Sequence, residues 1–352
     1  MRSPHTISST VPPQFVQWNV VEYLTVRFPY LAAESWRDWV AAGQVWRNGE
    51  PCTAESLITA GDFILCTMPE WEQPEANLNY TIVYEDEWLL GINKPANLRV
   101  HSGGKFLKMN LMYQLKYAGQ PAYPEADSIN RLDADTSGVV VVGKGTDVVR
   151  AMGHLFATQA VQKEYVALVH GRPHPAEGII DLPIGKHPAS KVRFGTAADL
   201  LAPRPARTRY AIAQTWGEAY SLLHLWPETG RTHQLRVHTA AIGHPIVGDK
   251  LYQSTTDEEF IHWRRHPETA PDAALIGRHA LHCARTSFTP PITNEPCTIT
   301  APLAEDLAAV VAQLDREGVS SGFDCLTKLI TRAEREIQGT FTLRLEAKAN
   351  SE

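Results

Sequence analysis

The chain has 352 residues, 43% of them hydrophobic and 20% charged; at about 150 residues per domain this suggests two domains with true cores and excludes a disordered, collagen-like or disulfide-scaffold protein. Its net charge of −6 argues against a generic nucleic-acid binder, although a local basic surface stays open. No run approaches the roughly 20 apolar residues of a membrane span, the opening MRSPHTISSTVPPQF lacks the apolar core of a secretory signal, and five scattered cysteines without paired metal spacing fit a reducing cytoplasm.

Residues 1–13, rich in Ser, Thr and Pro, read as a flexible tail. A compact unit follows over residues 14–70. It holds a helical stretch from Val20 to Leu31 and a second from Ala33 to Ala42, capped by Gly43. Asn48-Gly49 between strand-like residues is a strong hairpin signal, and a strand from Phe63 to Cys66 closes the unit. Residues 71–79, acidic and proline-containing, read as a linker. Strands are then expected at Thr81–Tyr84, Trp88–Asn93, Gly138–Lys144, Glu164–His170 and Tyr220–Trp226, with helices at Asp147–Thr158 and Thr232–Ile242. This is an α+β pattern with a mixed, largely antiparallel sheet over residues 80–303. Residues 304–352 read as a helical extension, with Leu307, Val310, Val311 and Leu314 at helical spacing.

Four segments carry the chemistry. Arg131-Leu132-Asp133-Ala134-Asp135-Thr136-Ser137-Gly138 packs polar residues against a Val run that reads as a buried strand, so an acid there sits on rigid scaffold. The same residues also make turns for purely local reasons. Gly230 to His238 holds two arginines and two histidines, able to anchor phosphates or pair with a buried acid. A spacing of five puts His233 and His238 on poorly matched helix faces for a metal. Tyr165, alternating with Ala167 and Val169, faces one side of a strand, either as core or as a stacking platform for a base. Between Lys186 and Arg209 six basic residues (Lys186, Lys191, Arg193, Arg204, Arg207, Arg209) stand against one acid, Asp199. Such a patch suits a phosphate backbone, or simply a solvated loop.

RLDADTSG with its Val run, KEYVALVHG and GRTHQLRVHTAAIGHPIVGDKLY resemble, in order, the signature segments of the RluA-type RNA pseudouridine synthases. YEDEWLLGINKPANLRVH is similar to that family's first motif and RHALHCARTSFTPP to its last. The segment over residues 14–70 resembles the small RNA-binding fold named after ribosomal protein S-four. The resemblance implies a pseudouridine synthase fold whose mixed sheet forms a catalytic cleft. It implies isomerisation of uridine in structured RNA, ribosomal, transfer or both, on a flipped-out nucleotide, without metal, nucleotide or redox cofactor. It implies Asp133 as the catalytic carboxylate, Arg236 as its partner and Tyr165 against the base. Leu281 would lie under the base, and Arg131 would fill the space vacated by the flipped nucleotide. Lys191, Arg193 and Arg207 are the candidate RNA-backbone contacts. A cytoplasmic monomer with no membrane and no obligate protein partner is expected. Two departures stand out. Asn130 replaces the family's common His, and the S-four-like segment is weakly basic, with Arg27, Arg37 and Arg47 against Glu22, Glu34, Asp38, Glu50 and Glu55. The alternatives are a non-catalytic RNA-binding or RNA-folding protein on this scaffold, and a glycosidase-like hydrolase. The hydrolase needs a second flanking carboxylate that no segment supplies convincingly.

Overall fold

The computed structural model describes residues 5–28, 31–68, 73–103, 106–190, 192–196 and 200–317. The chain divides into two units, residues 1–75 with 102–109, and residues 76–101 with 110–352.

The first unit contains strands β1 (His5–Thr10), β2 (Val45–Arg47), β3 (Glu50–Pro51) and β4 (Phe63–Met68), and helices α1 (Val20–Arg27) and α2 (Ala33–Ala41). Its sheet runs in the order β1-β4-β2-β3. Asn48 and Gly49 both take positive φ, 52° and 90°, the backbone that a tight hairpin between twisted strands requires. Asn19 and Glu22 cap α1 reciprocally. The expected flexible tail is corrected over His5–Thr10. This stretch is β1, antiparallel to β4 from His5 opposite Met68 to Thr10 opposite Phe63. Its Ser- and Thr-rich composition hides a short alternation in which Ser9 and Val11 are buried, Ser9 bonding Tyr23 at 2.7 Å. Without β1, the edge of β4 would leave its backbone groups unpaired.

The second unit contains β5 (Thr81–Glu85), β6 (Leu89–Lys94), β7 (Asp127–Ser128), β8 (Ser137–Gly143), β9 (Gln162–His170), β10 (Glu177–Asp181), β11 (Ile184–Lys186), β12 (Phe194–Gly195), β13 (Leu201–Arg204), β14 (Arg207–Trp216), β15 (Tyr220–Pro227), β16 (Leu281–Phe288) and β17 (Cys297–Thr300). Around them lie α3, a single turn at Leu111–Tyr113, then α4 (Thr146–Ala157), α5 (Gln234–Ala241), α6 (Lys250–Gln253), α7 (Asp257–Arg265) and α8 (Glu305–Arg316). The main sheet runs β10-β14-β15-β9-β16-β8-β6-β5, with β7 on β8 and β17 on β16. Its pairs are antiparallel except β16 with β8, as the sequence reading of a mixed, largely antiparallel sheet anticipates. Every residue of β8 is buried; burying each of its valines is worth about 1.5–3 kcal/mol.

Two apolar cores flank the middle of the sheet. One gathers Leu132, Val139, Val141 and Met152. The other gathers Leu168, Leu223, Leu235 and Leu281 with Leu307, Val310, Val311 and Leu314 of α8. The rest of the expected C-terminal helix lies outside the described residues. The basic stretch from Lys186 to Arg209 is not one loop. β11, β12 and β13 form a small sheet in the order β12-β11-β13, and Arg207 and Arg209 belong to β14 of the main sheet. Strands this short and interrupted by Gly and Pro leave no readable alternation.

Gly138, the second residue of β8, has φ 109°, and a Cβ there would stand 2.1 Å from the Cys283 carbonyl oxygen of β16. Gly138→Ala is therefore expected to lose at least about 2 kcal/mol in urea denaturation. A wild-type midpoint would mean that β8 and β16 approach each other less closely than this.

Candidate active site

Asp133 lies in the turn between β7 and β8. Cations hold that turn by its carbonyls. The ammonium of Lys94, fully buried, donates to the carbonyls of Pro95 (2.8 Å), Leu98 (2.8 Å) and Ala134 (3.0 Å), which satisfies its three protons. Burial pushes Lys94 down to about 7, against the pull of the nearby Asp135 carboxylate. On the far side, Arg278 donates to the Asp135 carbonyl at 3.1 Å and to the Asp306 carboxylate of α8 at 2.7 Å through both Nε and Nη2. The Thr136 hydroxyl meets His279 Nε2 at 2.8 Å. The carboxylate of Asp133 is thus carried by backbone with little freedom.

Arg236, on α5, reaches Asp133 Oδ2 through Nη1 at 2.9 Å. Its Nε and Nη2 grip Asp249 Oδ2 and Oδ1 at 2.6 and 2.9 Å. The Asp249 side chain is fully buried, and that of Arg236 is 9% exposed. Burial alone would raise the Asp249 carboxyl; the Arg236 guanidinium outweighs it and holds Asp249 far below the usual range. Burial likewise opposes the charge on Arg236, and Asp249 then Asp133 overcome it and raise its pKa. For Asp133 itself, burial pushes up, while His233 and Arg236 push down and prevail. Since His233 is held down to about 4 by burial and by Arg236, it is neutral at neutral pH, and Arg236 supplies the charge that keeps Asp133 ionised there.

Asp133, His233 and Arg236 line a cleft of ≈ 580 Å³. Its walls include Arg131, Leu132, Asp133, Tyr165, Arg236 and Leu281, so the sequence-selected Asp133, Tyr165, Arg236, Arg131 and Leu281 converge on one cavity. Tyr165, on β9, packs against both apolar cores. Burial and the Cys283 thiol raise its phenol well above the ordinary value, so it presents an intact hydroxyl and an aromatic face. Leu281 is 4% exposed and gives an apolar wall. Arg131 is exposed.

Two of the expected RNA contacts have carboxylate partners within the protein. Arg193 donates to Asp257 (2.8 Å), to the Ser254 carbonyl (2.9 Å) and hydroxyl (2.7 Å), and to the Thr256 carbonyl (2.7 Å). Its guanidinium is spent fastening the small sheet to α7. Arg207 lies outside the cleft, between the carboxylates of Asp181 (3.8 Å) and Glu228 (3.5 Å). Lys191 lies outside the described residues. Arg204 and Arg231 line the cleft with Lys163.

A family model described as RNA pseudouridylate synthase matches residues 89–241. The ribosomal large subunit pseudouridine synthase D of Nitrosomonas europaea is 31% identical over 313 residues, covering 87% of this chain and 87% of that protein. The chain belongs to the RNA pseudouridine synthase family. The ribosomal large subunit pseudouridine synthase C of Vibrio vulnificus is 33% identical, across 78% of this chain and 86% of that one. Human RNA pseudouridylate synthase domain containing 4 shares the fold with a TM-score of 0.53, at 23% identity over 66% of this chain and 92% of its own. This pseudouridine synthase is an isomerase that converts uridine in RNA to pseudouridine, the family and activity that the RLDADTSG, KEYVALVHG and GRTHQLRVH segments imply.

Sequence reasoning missed Asp249 as the partner of Arg236. It stands inside the quoted GDKLY, but nothing local marks a carboxylate as buried. His233 stands out in the sequence only as a phosphate anchor, a partner for an acid or a poor metal ligand with His238. His238 is a core residue held by Thr208 at 2.9 Å and the Leu182 carbonyl at 3.0 Å.

Asp249→Asn strips the buried Arg236 of its main counter-charge and is expected to cost roughly 3–5 kcal/mol at pH 7. The folded pKa of Asp249 lies below the unfolded one. Its stabilisation is therefore complete above about pH 4 and lost as pH falls through the folded value. Denaturation of wild type and variant at stepped pH should thus converge on acidification. A gap that widened towards low pH would contradict the assignment.

Proposed function

We propose that this synthase acts on structured RNA, large-subunit ribosomal RNA first, with Asp133 as the catalytic carboxylate on a flipped-out uridine. One observation carries the reading: a carboxylate oriented by a guanidinium stands in a cleft walled by an aromatic face and an apolar side chain. The RNA class rests on the relatives that are named ribosomal large subunit pseudouridine synthases.

The chemistry follows from the charges. Breaking the glycosidic bond builds positive charge on the sugar and negative charge on the leaving uracil. An ionised Asp133 stabilises the sugar, attacks its anomeric carbon, or removes the adjacent sugar proton. Arg236 keeps Asp133 charged and aimed. Tyr165 and Leu281 hold the detached base between an aromatic and an apolar surface while it turns to present a ring carbon. Flipping costs a few kcal/mol, and Arg131 at the cleft offsets it by occupying the vacated stack. Arg204 and Arg231 take phosphates. The unit over residues 14–70 is read as an S-four-like RNA contact. The scattered cysteines and the RNA substrate favour the cytoplasm, and the cleft is built by a single chain.

In vitro transcripts of large-subunit ribosomal RNA and of transfer RNA, assayed for pseudouridine, test this. Asp133→Asn should lose on the order of 10³-fold or more in rate with RNA affinity within about threefold, because the swap is nearly isosteric. Asp135→Asn, exposed and outside the cleft, should stay within about threefold of wild type. Binding without turnover by wild type on both transcripts would favour the RNA-binding alternative.

Binding measured against salt tests the rim. Arg204→Ala with Arg231→Ala should lower the slope of log K on log salt by about 0.7–0.9 for each phosphate no longer neutralised. Arg193→Ala should leave the slope unchanged while destabilising the fold. An unchanged slope in the rim double variant would remove those two arginines from the RNA path.

A further inference from the structure

We propose that His233 is a further catalytic residue, a neutral imidazole whose Nε2–H donates a hydrogen bond to the uracil carbonyl oxygen beside the glycosidic bond as that bond breaks. This rests on Asp133 being the catalytic carboxylate.

The Nε2–H tautomer is the one proposed, and two hydrogen bonds at Tyr252 provide its setting. The backbone N–H of Phe194 donates to the Tyr252 hydroxyl oxygen at 3.3 Å. The Tyr252 hydroxyl and His233 Nδ1 stand 2.9 Å apart, and in the proposed arrangement the hydroxyl is the donor. In that arrangement Nδ1 accepts and the ring proton sits on Nε2. That nitrogen stands 3.8 Å from Asp133 Oδ2, too far for a hydrogen bond. The ring lines the cleft, so a donor is left facing the space where Asp133 acts.

The ring is also held rigidly. Phe194 and Tyr252 meet it edge to face, each with centroids 5.7 Å away. The backbone of His233 is left-handed, φ 56°, a conformation that costs an L-residue about 1–2 kcal/mol and persists where the surroundings over-determine it. The charged and titratable groups facing it are Asp133, Arg236, Asp249, Arg131 and Tyr252. Burial and Arg236 outweigh the two carboxylates and keep the imidazole uncharged at neutral pH.

Heterolysis of the C1′–N1 bond leaves the electron pair on the base, shared between N1 and the adjacent carbonyl oxygen. A fixed N–H donor there stabilises charge that is absent from the bound uridine and develops as the bond breaks, without transferring its proton. An imidazolium would instead pair with Asp133 and blunt it.

The test measures single-turnover rate and RNA affinity on a large-subunit ribosomal RNA transcript, with Asp133→Asn run in parallel. His233→Ala should slow turnover about 10- to 100-fold with affinity within about threefold. His233→Gln, whose side-chain amide reaches the same region, should recover most of the loss. Imidazole ¹⁵N spectra of the RNA-free protein should give the Nε2–H tautomer from about pH 5.5 to 8, becoming a tautomer mixture in Tyr252→Phe. An unaltered rate in His233→Ala, a loss confined to affinity, or an imidazolium at pH 6 overturns the proposal. If Asp133→Asn itself turns over RNA, the site reading fails; if Asp133→Asn is dead and His233→Ala is not, only this inference fails.

Discussion

Arg236 carries a positive charge into a place that water barely reaches, and the architecture around it exists to make that tolerable. An uncompensated charge at such depth costs several kcal/mol. Asp249 answers it with two short contacts, which consumes Nε and Nη2 and leaves Nη1 for Asp133. The turn that delivers Asp249 is itself constrained. Gly248 takes φ 75° where a Cβ would meet the Arg278 carbonyl at 2.1 Å, and its N–H is held by Asp272 at 2.6 Å. Tyr252 closes the other side, with Arg236 5.0 Å from its ring centroid. The guanidinium is held in one orientation because each of its three nitrogens is bonded to one of two fixed carboxylates.

The same device recurs around Asp133. Its turn is irregular backbone next to a buried strand, and such backbone must have its carbonyls satisfied. Lys94 takes the carbonyl of Ala134 and Arg278 that of Asp135. Both cations arrive from distant segments, one from β6 and one from the stretch before β16. Polar infrastructure of this kind is costly where it is incomplete, and here each cation is fully partnered. Rigid placement of one carboxylate thus draws on residues spread over some two hundred positions of chain, about the size of one domain.

The sequence was legible where a pattern is local. The Val run of β8, the Asn48-Gly49 turn, the Gly43 cap and the apolar spacing of α8 each declare themselves within a few residues, and the structure has them all. Motif order brought Asp133, Tyr165, Arg236, Arg131 and Leu281 together before any fold was known. What failed depends on distance or on the partner. β1 looks like a tail because its strand character comes from the edge of β4. Arg193 and Arg204 have the same composition context, yet one is bound by α7 and the other lines the cleft. Asp249 and Asp135 are both aspartates in motif segments, and only burial separates them.

Tyr165 of β9 packs against both apolar cores, β16 gives Cys283 to one and Leu281 to the other, and the catalytic pair straddles that seam. Leu132, next to Asp133, belongs to one core, and Leu235, next to Arg236, belongs to the other. The 2.9 Å contact between the two side chains is therefore a gauge of how the halves of the sheet are seated. A shift of about 1 Å between the cores would break it while leaving each core intact, and misplacement on that scale can cost on the order of 10²-fold in rate. Warming or a cavity in either core should thus silence the enzyme well before it melts, so that its working range is set by the fit between two hydrophobic bodies and not by the stability of either.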